Sequence, residues 1–331
     1  MSSPVDRGSI IFSAIGNESL KPERAREIEL GFESSLFTSR VHLEFTYYNK
    51  LTKDALIARP VPPSVGATAT RFENLGSVSN RGVELLLIAN VINRPAFGWD
   101  LTLNSSFNRN RIEALGVPTI VSASTNRQQV GFPVDSWFQR PYTYSDVDGN
   151  GVITANEITV ADSAVYIGPA NPTREMTLTS GFDLFKRKLR LTGSFDYKGD
   201  RYQLNGTERI RCESRLNCDG ELDPNAPLWK QARAVALRET AARTQYGFIE
   251  KADFVRFREF SATYQLPDGL ARAAHATRAS ITLAARNLFL ITNYSGIDPE
   301  SNYFSGATGI QSDFQTQPPP TYWTLRVNLG F

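Results

Sequence analysis

The eleven residues TYWTLRVNLGF, 321–331, decide how this chain is read. Trp323, Leu325, Val327, Leu329 and Phe331 fall on every second position, and Thr324, Arg326, Asn328 and Gly330 fill the gaps. A period of two marks a strand with one apolar face and one wet face. The pattern runs to the last residue, where chain ends usually fray. Such a strand needs something to cover both its edge and its apolar face.

The alternation recurs upstream. Ile28, Leu30, Phe32 and Leu36 alternate with Glu27, Glu29, Gly31 and Glu33; Val41, Leu43, Phe45 and Tyr47 follow against His42, Glu44, Thr46 and Tyr48. Further sets are Val83–Val91, Trp99–Phe107, Met176–Leu184, Leu189–Tyr197 and Ile281–Ala285. The apolar parity of these sets carries no Lys or Arg, whereas Lys188, Arg190, Arg286 and Arg326 sit on the polar parity. Nine strands are expected, over about 26–37, 40–58, 71–92, 98–115, 173–185, 188–205, 246–266, 277–293 and 320–331, with a tenth near Ile10–Ser13. Apolar residues change parity between Phe257 and Phe260, which predicts a β-bulge near Arg258.

The connections alternate in length. Short turns are expected at Phe37–Arg40, Ile92–Gly98, Phe185–Arg187 and Pro267–Ala276, and long ones over about 59–70, 116–172, 206–245 and 294–319. A soluble sandwich has no reason to gather its long loops at one end, but an outer-membrane barrel does, with short periplasmic turns and long external loops. The expected fold is therefore all-β: an antiparallel transmembrane β-barrel segment of nine or ten strands, apolar parity outward, charged parity facing a wet lumen. The last strand is expected to pair with the first and abolish the edge. Trp99, Tyr197, Tyr322 and Trp323 near strand ends fit interfacial girdles. In the competing soluble fold, the apolar parity faces a second sheet.

Composition agrees. The net charge of +2 offers no electrostatic ground for a nucleic-acid partner. The 20 Phe and 12 Tyr favour strands. Mean hydropathy is −0.30 and no apolar run is long enough to span a bilayer as a helix, which says little against barrels, whose strands are half polar. The opening residues, MSSPVDRGSIIFSAIGNESLKPE, lack the ordered regions of a secretion signal. The chain is then either cytosolic or the rear part of a longer protein.

Enzymatic signatures are missing. The two histidines, His42 and His275, lie far apart in sequence, and neither a nucleophile elbow nor a Gly-rich phosphate loop occurs. Glu27, Glu29, Glu33, Glu44 and Asp100 read as a solvated wall rather than a glycosidase pair.

Other candidates lie in the long loops. DVDGNGVITANE fits the EF-hand loop pattern. Asp146, Asp148, Asn150, Val152 (through its carbonyl), Thr154 and Glu157 would supply hard oxygen ligands for a structural Ca²⁺. An Asx-rich turn leading into a short strand, VITANEI, reads the same residues without metal. No other cofactor is called for. Cys212 and Cys218 are either a disulfide, implying an oxidising compartment, or two free surface thiols. KQARAVALRETAARTQ reads as a short, solvated surface helix. Trp137, Phe138, Tyr142, Tyr144, Tyr303 and Phe304 are loop aromatics that could stack on sugar rings. The ligand-binding residues are otherwise unspecified.

Six segments carry a resemblance: LKPERAREIELGFE, NLGSVSNRGVELLL, VGFPVDSWFQRPYTYSDVDGNGVITANE, ADFVRFREFSATYQLP, ARNLFLITNYSGIDPES and PPPTYWTLRVNLGF. Together they resemble the C-terminal barrel portion of the SusC/RagA family of TonB-linked outer-membrane proteins. The resemblance implies residence in outer-membrane lipid, a barrel of about 22 strands around a plug domain, energy from the TonB complex and a SusD-like lipoprotein lid. It also implies that the barrel-assembly machinery reads Trp323, Leu325, Val327, Leu329 and Phe331. The implied function is uptake of a glycan or peptide. No plug or TonB-interaction segment is visible in the sequence, so a C-terminal fragment that does not transport by itself is expected. Two other readings remain: a passive porin or outer-membrane enzyme on a smaller barrel, and a secreted β-sandwich binding module.

Overall fold

The computed structural model describes residues 15–62, 64, 70–122, 125–303 and 311–331. The expected strand near Ile10–Ser13 and the side chain of Phe304 lie outside them.

The first half contains β1 (Arg24–Leu36), β2 (Val41–Pro60), β3 (Thr70–Asn93) and β4 (Gly98–Ala114). A long connection follows, with short strands β5 (Ile120–Ser122), β6 (Asn126–Gln128), β7 (Ser136–Gln139), β8 (Tyr142–Tyr144), β9 (Ile158–Val160) and β10 (Val165–Gly168). Next come β11 (Arg174–Leu184) and β12 (Leu189–Gly199). The second long connection holds β13 (Tyr202–Leu204), α1 (Gly206–Ile210), α2 (Asp219–Leu222), α3 (Leu228–Arg238) and β14 (Ile249–Lys251). The chain finishes with β15 (Phe254–Gln265), α4 (Asp268–Ala273), β16 (Arg278–Thr292) and β17 (Tyr322–Gly330).

The long strands form one antiparallel sheet of nine, each beside its neighbour in sequence: β1-β2-β3-β4-β11-β12-β15-β16-β17. The connections alternate as expected. Tight turns join β1 to β2, β3 to β4 and β11 to β12, and the α4 turn joins β15 to β16, all at one end. Two of the turns share a backbone: Phe37, Thr38 and Ser39 have φ of 52°, 56° and 60°, and Phe185, Lys186 and Arg187 have 51°, 57° and 64°. Positive φ at a hairpin's central residues matches the right-handed twist of its strands. Residues 61–69, 115–173, 200–253 and 293–321 make the connections at the other end.

The apolar parity is the exposed one. Leu30, Phe32, Leu325 and Val327 are 55–69% exposed, and no second sheet covers them among the described residues. Water-soluble monomers rarely present so continuous an apolar surface. The polar parity carries cross-strand pairs instead. Arg190 bridges Asp183, its register partner, at 3.2 Å and reaches Asp100, one strand further, at 2.9 Å. Gly181 lies between them, and a Cβ there would stand 2.3 Å from the Arg190 guanidinium. Glycine at this one position thus lets the bridge cross β11.

The bulge occurs where the parity change predicts it. Registers shift between Ser194 and Phe195 on β12 and between Phe257 and Glu259 on β15. Phe257 stays with Phe195 and Phe289 on the apolar face, with ring centroids 4.5 and 5.1 Å away. Arg258 meets Asp196 on the polar face at 2.6 Å, and Glu259 meets Arg286 there at 2.5 Å.

Three expectations need correction. First, among the described residues the last strand does not pair with β1: β17 bonds to β16, and β1 to β2. Nine up-and-down strands leave β1 and β17 running the same way, so they cannot close as an antiparallel pair. Secondly, the strands expected over 188–205 and 246–266 do not stay in the large sheet. Their outer ends leave it after Gly199 and before Phe254 and pair separately as β13 and β14. Asp200, with φ of 57°, turns β12 out of the sheet. Thirdly, the long connections are not plain loops, because β5–β10 form two small sheets of their own.

Candidate functional site in the outer loop layer

Three long connections pack into one layer over the long-loop end of the sheet. Its core joins Trp137, Ala170, Leu204, Cys212, Cys218, Ala234, Leu237, Phe248 and Ile249. A second cluster, Ile153, Ile158, Ala232, Val235 and Ala236, seats residues 152–158 on α3. The helix is therefore not the solvated surface helix expected from sequence: Gln231–Leu237 are buried. Its charges are matched within the layer. Arg233 meets Glu208 at 2.9 Å and Glu250 at 3.4 Å, lying over the Trp229 and Phe248 rings, and Arg238 meets Glu221 at 2.7 Å. A buried guanidinium requires such partners. Cys212 and Cys218 are joined in a disulfide, both sulfurs inside the layer.

The layer is strapped to the sheet by residues 298–301. Asp298 accepts two hydrogen bonds from Arg256, at 2.6 and 2.7 Å. Glu300 accepts from Arg258 at 2.8 and 3.0 Å. The Nε of Arg256 also lies 2.7 Å from Glu300, close enough for an ion pair but not aligned as a hydrogen bond. Burial opposes the charge on Glu300, yet Arg258 and Arg256 outweigh it and hold its carboxyl below the usual value. Arg201 donates to the Pro299 carbonyl at 2.8 Å, and Gln203 to that of Ser301 at 2.7 Å. Glu250 then ties Ser295 to the second connection, accepting from its N–H at 2.8 Å and its hydroxyl at 2.6 Å. These anchors were visible only as part of a matching segment. An Asp-Pro-Glu run beyond a strand that carries alternate arginines is the signal that could have found them.

The EF-hand-like segment sits at the layer's surface. Carboxylate oxygens of Asp146, Asp148 and Glu157 lie within 4.8 Å of one another. Asp146 accepts from the N–H groups of Asn150 and Gly151, and Asn150 from that of Val152. Glu157 accepts from Val147 at 2.8 Å and from the Thr154 N–H at 2.9 Å, closing a capping box on the 3-10 turn Ala155–Glu157. These backbone donors hold the Glu157 carboxyl below its ordinary value. Gly149 and Gly151 take φ of 69° and 79°, as the sharp turn needs. Gln231 fixes the segment, accepting from Ile153 N–H at 2.9 Å and donating to the Gly151 carbonyl at 3.0 Å. The candidate ligand atoms are all oxygens, three of the six residues supplying carboxylates, a set that fits a hard divalent cation.

The loop aromatics divide. Trp137 is fully buried, donating to the Tyr202 carbonyl at 2.8 Å, and Phe138 packs between Phe132 and Tyr166. Both are core residues, which corrects their reading as exposed sugar platforms. Tyr142 is half-buried, and burial pushes its hydroxyl up to about 12. Tyr144 and Tyr303 keep exposed faces, 40% and 55%. Of the C-terminal set, Trp323, Leu325, Val327 and Leu329 stand on the exposed apolar face of β17, and Phe331 is 85% exposed at the short-turn end.

A family model described as TonB dependent receptor-like, beta-barrel, matches residues 3–288. TonB-dependent receptor P3 of Formosa agariphila is 24% identical over 97% of this chain and 35% of its own length. TonB-dependent receptor SusC of Bacteroides thetaiotaomicron is 24% identical over 95% of this chain and 32% of its own. Among solved structures, the RagAB peptide transporter superposes with a TM-score of 0.75 at 20% identity, covering 99% of this chain and 37% of that one. The chain thus spans about a third of the length of these proteins.

Proposed function

As the chain belongs to the TonB-dependent receptor β-barrel family and resides in the outer membrane, we propose that it forms the rear part of a TonB-dependent nutrient importer of the SusC/RagA type. In this reading its open sheet is a wall section, and further strands take up the free edges of β1 and β17. The single observation that carries it is the division of the sheet: an uncharged outer band, a charged inner face, and three long connections packed as a layer at one end.

The layer and a SusD-like lipoprotein would capture the ligand outside. A plug held within the full barrel would close the lumen, and TonB would supply the energy to displace it. Glycan and peptide are the candidate cargoes. The barrel-assembly machinery would recognise the Trp323–Phe331 strand. The segment 146–157 would hold Ca²⁺ through Asp146, Asp148, Asn150, the Val152 carbonyl, Thr154 and Glu157, stiffening the layer where it docks on α3.

Uptake of labelled oligosaccharides and peptides by cells with and without the gene tests the main reading. One class should accumulate only with the gene present, and the gain should vanish on collapse of the proton-motive force. Uptake indifferent to that collapse would instead mark a passive pore.

A further inference from the structure

On the outward face of β1, β3, β4 and β11, apolar side chains stop abruptly and arginines begin. Going from the short turns on β4, the outward residues are Trp99, Leu101, Leu103, Ser105 and Phe107, then Arg109 and Arg111. On β11 they are Leu184, Phe182, Ser180, Leu178 and Met176, then Arg174. Arg81 of β3 lies directly opposite Arg109 in the register. Trp99 to Arg109 and Leu184 to Arg174 each span ten residues, as does Leu36 to Arg26 on β1. Ten residues at about 3.3 Å, tilted by about 40°, give about 25 Å, the height of an outer-membrane barrel's apolar band. The arginines therefore stand at the headgroup level of the outer leaflet.

Arg81, Arg109 and Arg174 are exposed and make no side-chain ion pair or hydrogen bond among the described residues. Like charges directly opposite in a sheet repel, so Arg81 beside Arg109 costs stability unless an anion lies between them. The three arginines and Arg111 line a groove of about 620 Å³, with Tyr47, Val83 and Phe107 below and Phe132 and Tyr166 beside. Nearby acids are few: Glu113, 3.7 Å from Arg111, and Asp200, which holds the Thr173 hydroxyl.

We infer that this groove is a docking site for a phosphate-bearing lipid of the outer leaflet. The guanidinium groups bind its phosphates, and the apolar side chains below meet its acyl chains. Bidentate guanidinium–phosphate pairing suits arginine over lysine. The inference rests on the outward direction of the apolar parity and not on what the receptor imports.

The test is lipid retention by the full protein, isolated in detergent from outer membranes and read by native mass spectrometry. The probes are bis-phosphorylated lipid A, its phosphate-free counterpart and inorganic phosphate. Wild type should retain the phosphorylated lipid. Each arginine near an anionic lipid surface contributes about a fivefold factor, so Arg81→Gln/Arg109→Gln/Arg174→Gln should weaken retention about a hundredfold. The triple Lys variant should hold the lipid more weakly than wild type but better than the Gln variant. Equal retention of both lipids by wild type overturns the inference, as does equal retention by wild type and the Gln variant. Binding of inorganic phosphate as tight as that of the lipid would reduce the site to a simple anion contact. A polypeptide released by the same substitutions, with lipid retention unchanged, would assign the groove to a protein partner. If the Gln variant fails to insert, the lipid comparison on wild type and the Lys variant decides.

Discussion

Arg256 and Asp298 face each other with both side chains about 4% exposed, joined by hydrogen bonds of 2.6 and 2.7 Å. One belongs to the sheet and the other to the loop layer, so this pair fastens the layer to the wall. Removing one partner of a buried pair leaves an uncompensated charge and costs roughly 3–5 kcal/mol. Asp298→Asn should fall at the lower end, since Glu300 remains beside Arg256. Hydrogen exchange should show residues 294–303 losing protection while the β15–β16 ladder keeps its own. Unchanged protection in the loop would refute this role for the pair.

The disulfide closes a short loop, with Cys212 and Cys218 six positions apart in sequence and their Cα atoms 5.1 Å apart. A loop of that size restricts the unfolded chain by roughly 2 kcal/mol. Reduction, or Cys212→Ser with Cys218→Ser, should speed proteolysis across 206–222 and leave the sheet intact. Equal cleavage rates with and without reductant would count against it.

Glu157 gives the EF-hand-like segment a pH dependence of defined sign. Its folded value is depressed from the ordinary 4.5 by the Thr154 and Val147 N–H groups. The stabilisation is therefore complete above the unfolded value and fades as pH falls through the lower, folded one. Protection of the Val147 and Thr154 amides, relative to their intrinsic exchange rates, should fall as pH drops below the ordinary carboxylate value of 4.5, and Glu157→Gln should flatten that fall. Calorimetry at neutral pH should show Ca²⁺ uptake that Asp146→Ala and Glu157→Ala abolish. Absence of uptake by the wild type would end the metal assignment.

Neighbouring residues on β17 should respond in opposite ways to the same change. Val327→Arg puts a cation on the hydrocarbon side near mid-strand and should destabilise the folded barrel by about 2–4 kcal/mol. Asn328→Arg points to the lumen and should cost less than about 1 kcal/mol. Urea unfolding in vesicles measures both, and equal costs would contradict the assigned faces.

The wall was legible because its signal is local. Period two survives in every long strand, and the parity switch between Phe257 and Phe260 was enough to place the bulge at Arg258. Other features depend on partners distant in sequence. Tyr202–Leu204 and Ile249–Lys251 continue the alternation of their strands, so nothing local says that they pair with each other instead. Lys230, Arg233 and Arg238 make α3 look solvated, and Asp219, Glu208, Glu250 and Glu221, folded in from elsewhere, allow it to be buried. Trp137 and Phe138 likewise read as surface aromatics until the layer closes over them. Closure between β1 and β17 depends on the strand count, since the first and last of nine alternating strands run the same way.

The central claim is that the alternate residues of β17 see two different solvents. Single spin labels at positions 324 to 329, in the protein reconstituted into vesicles, test it through collision rates with oxygen and with a water-soluble nickel chelate. The account predicts oxygen access at 325, 327 and 329 and chelate access at 324, 326 and 328, alternating along the strand. Chelate access at every position, or a shared dry environment on both parities, would contradict it.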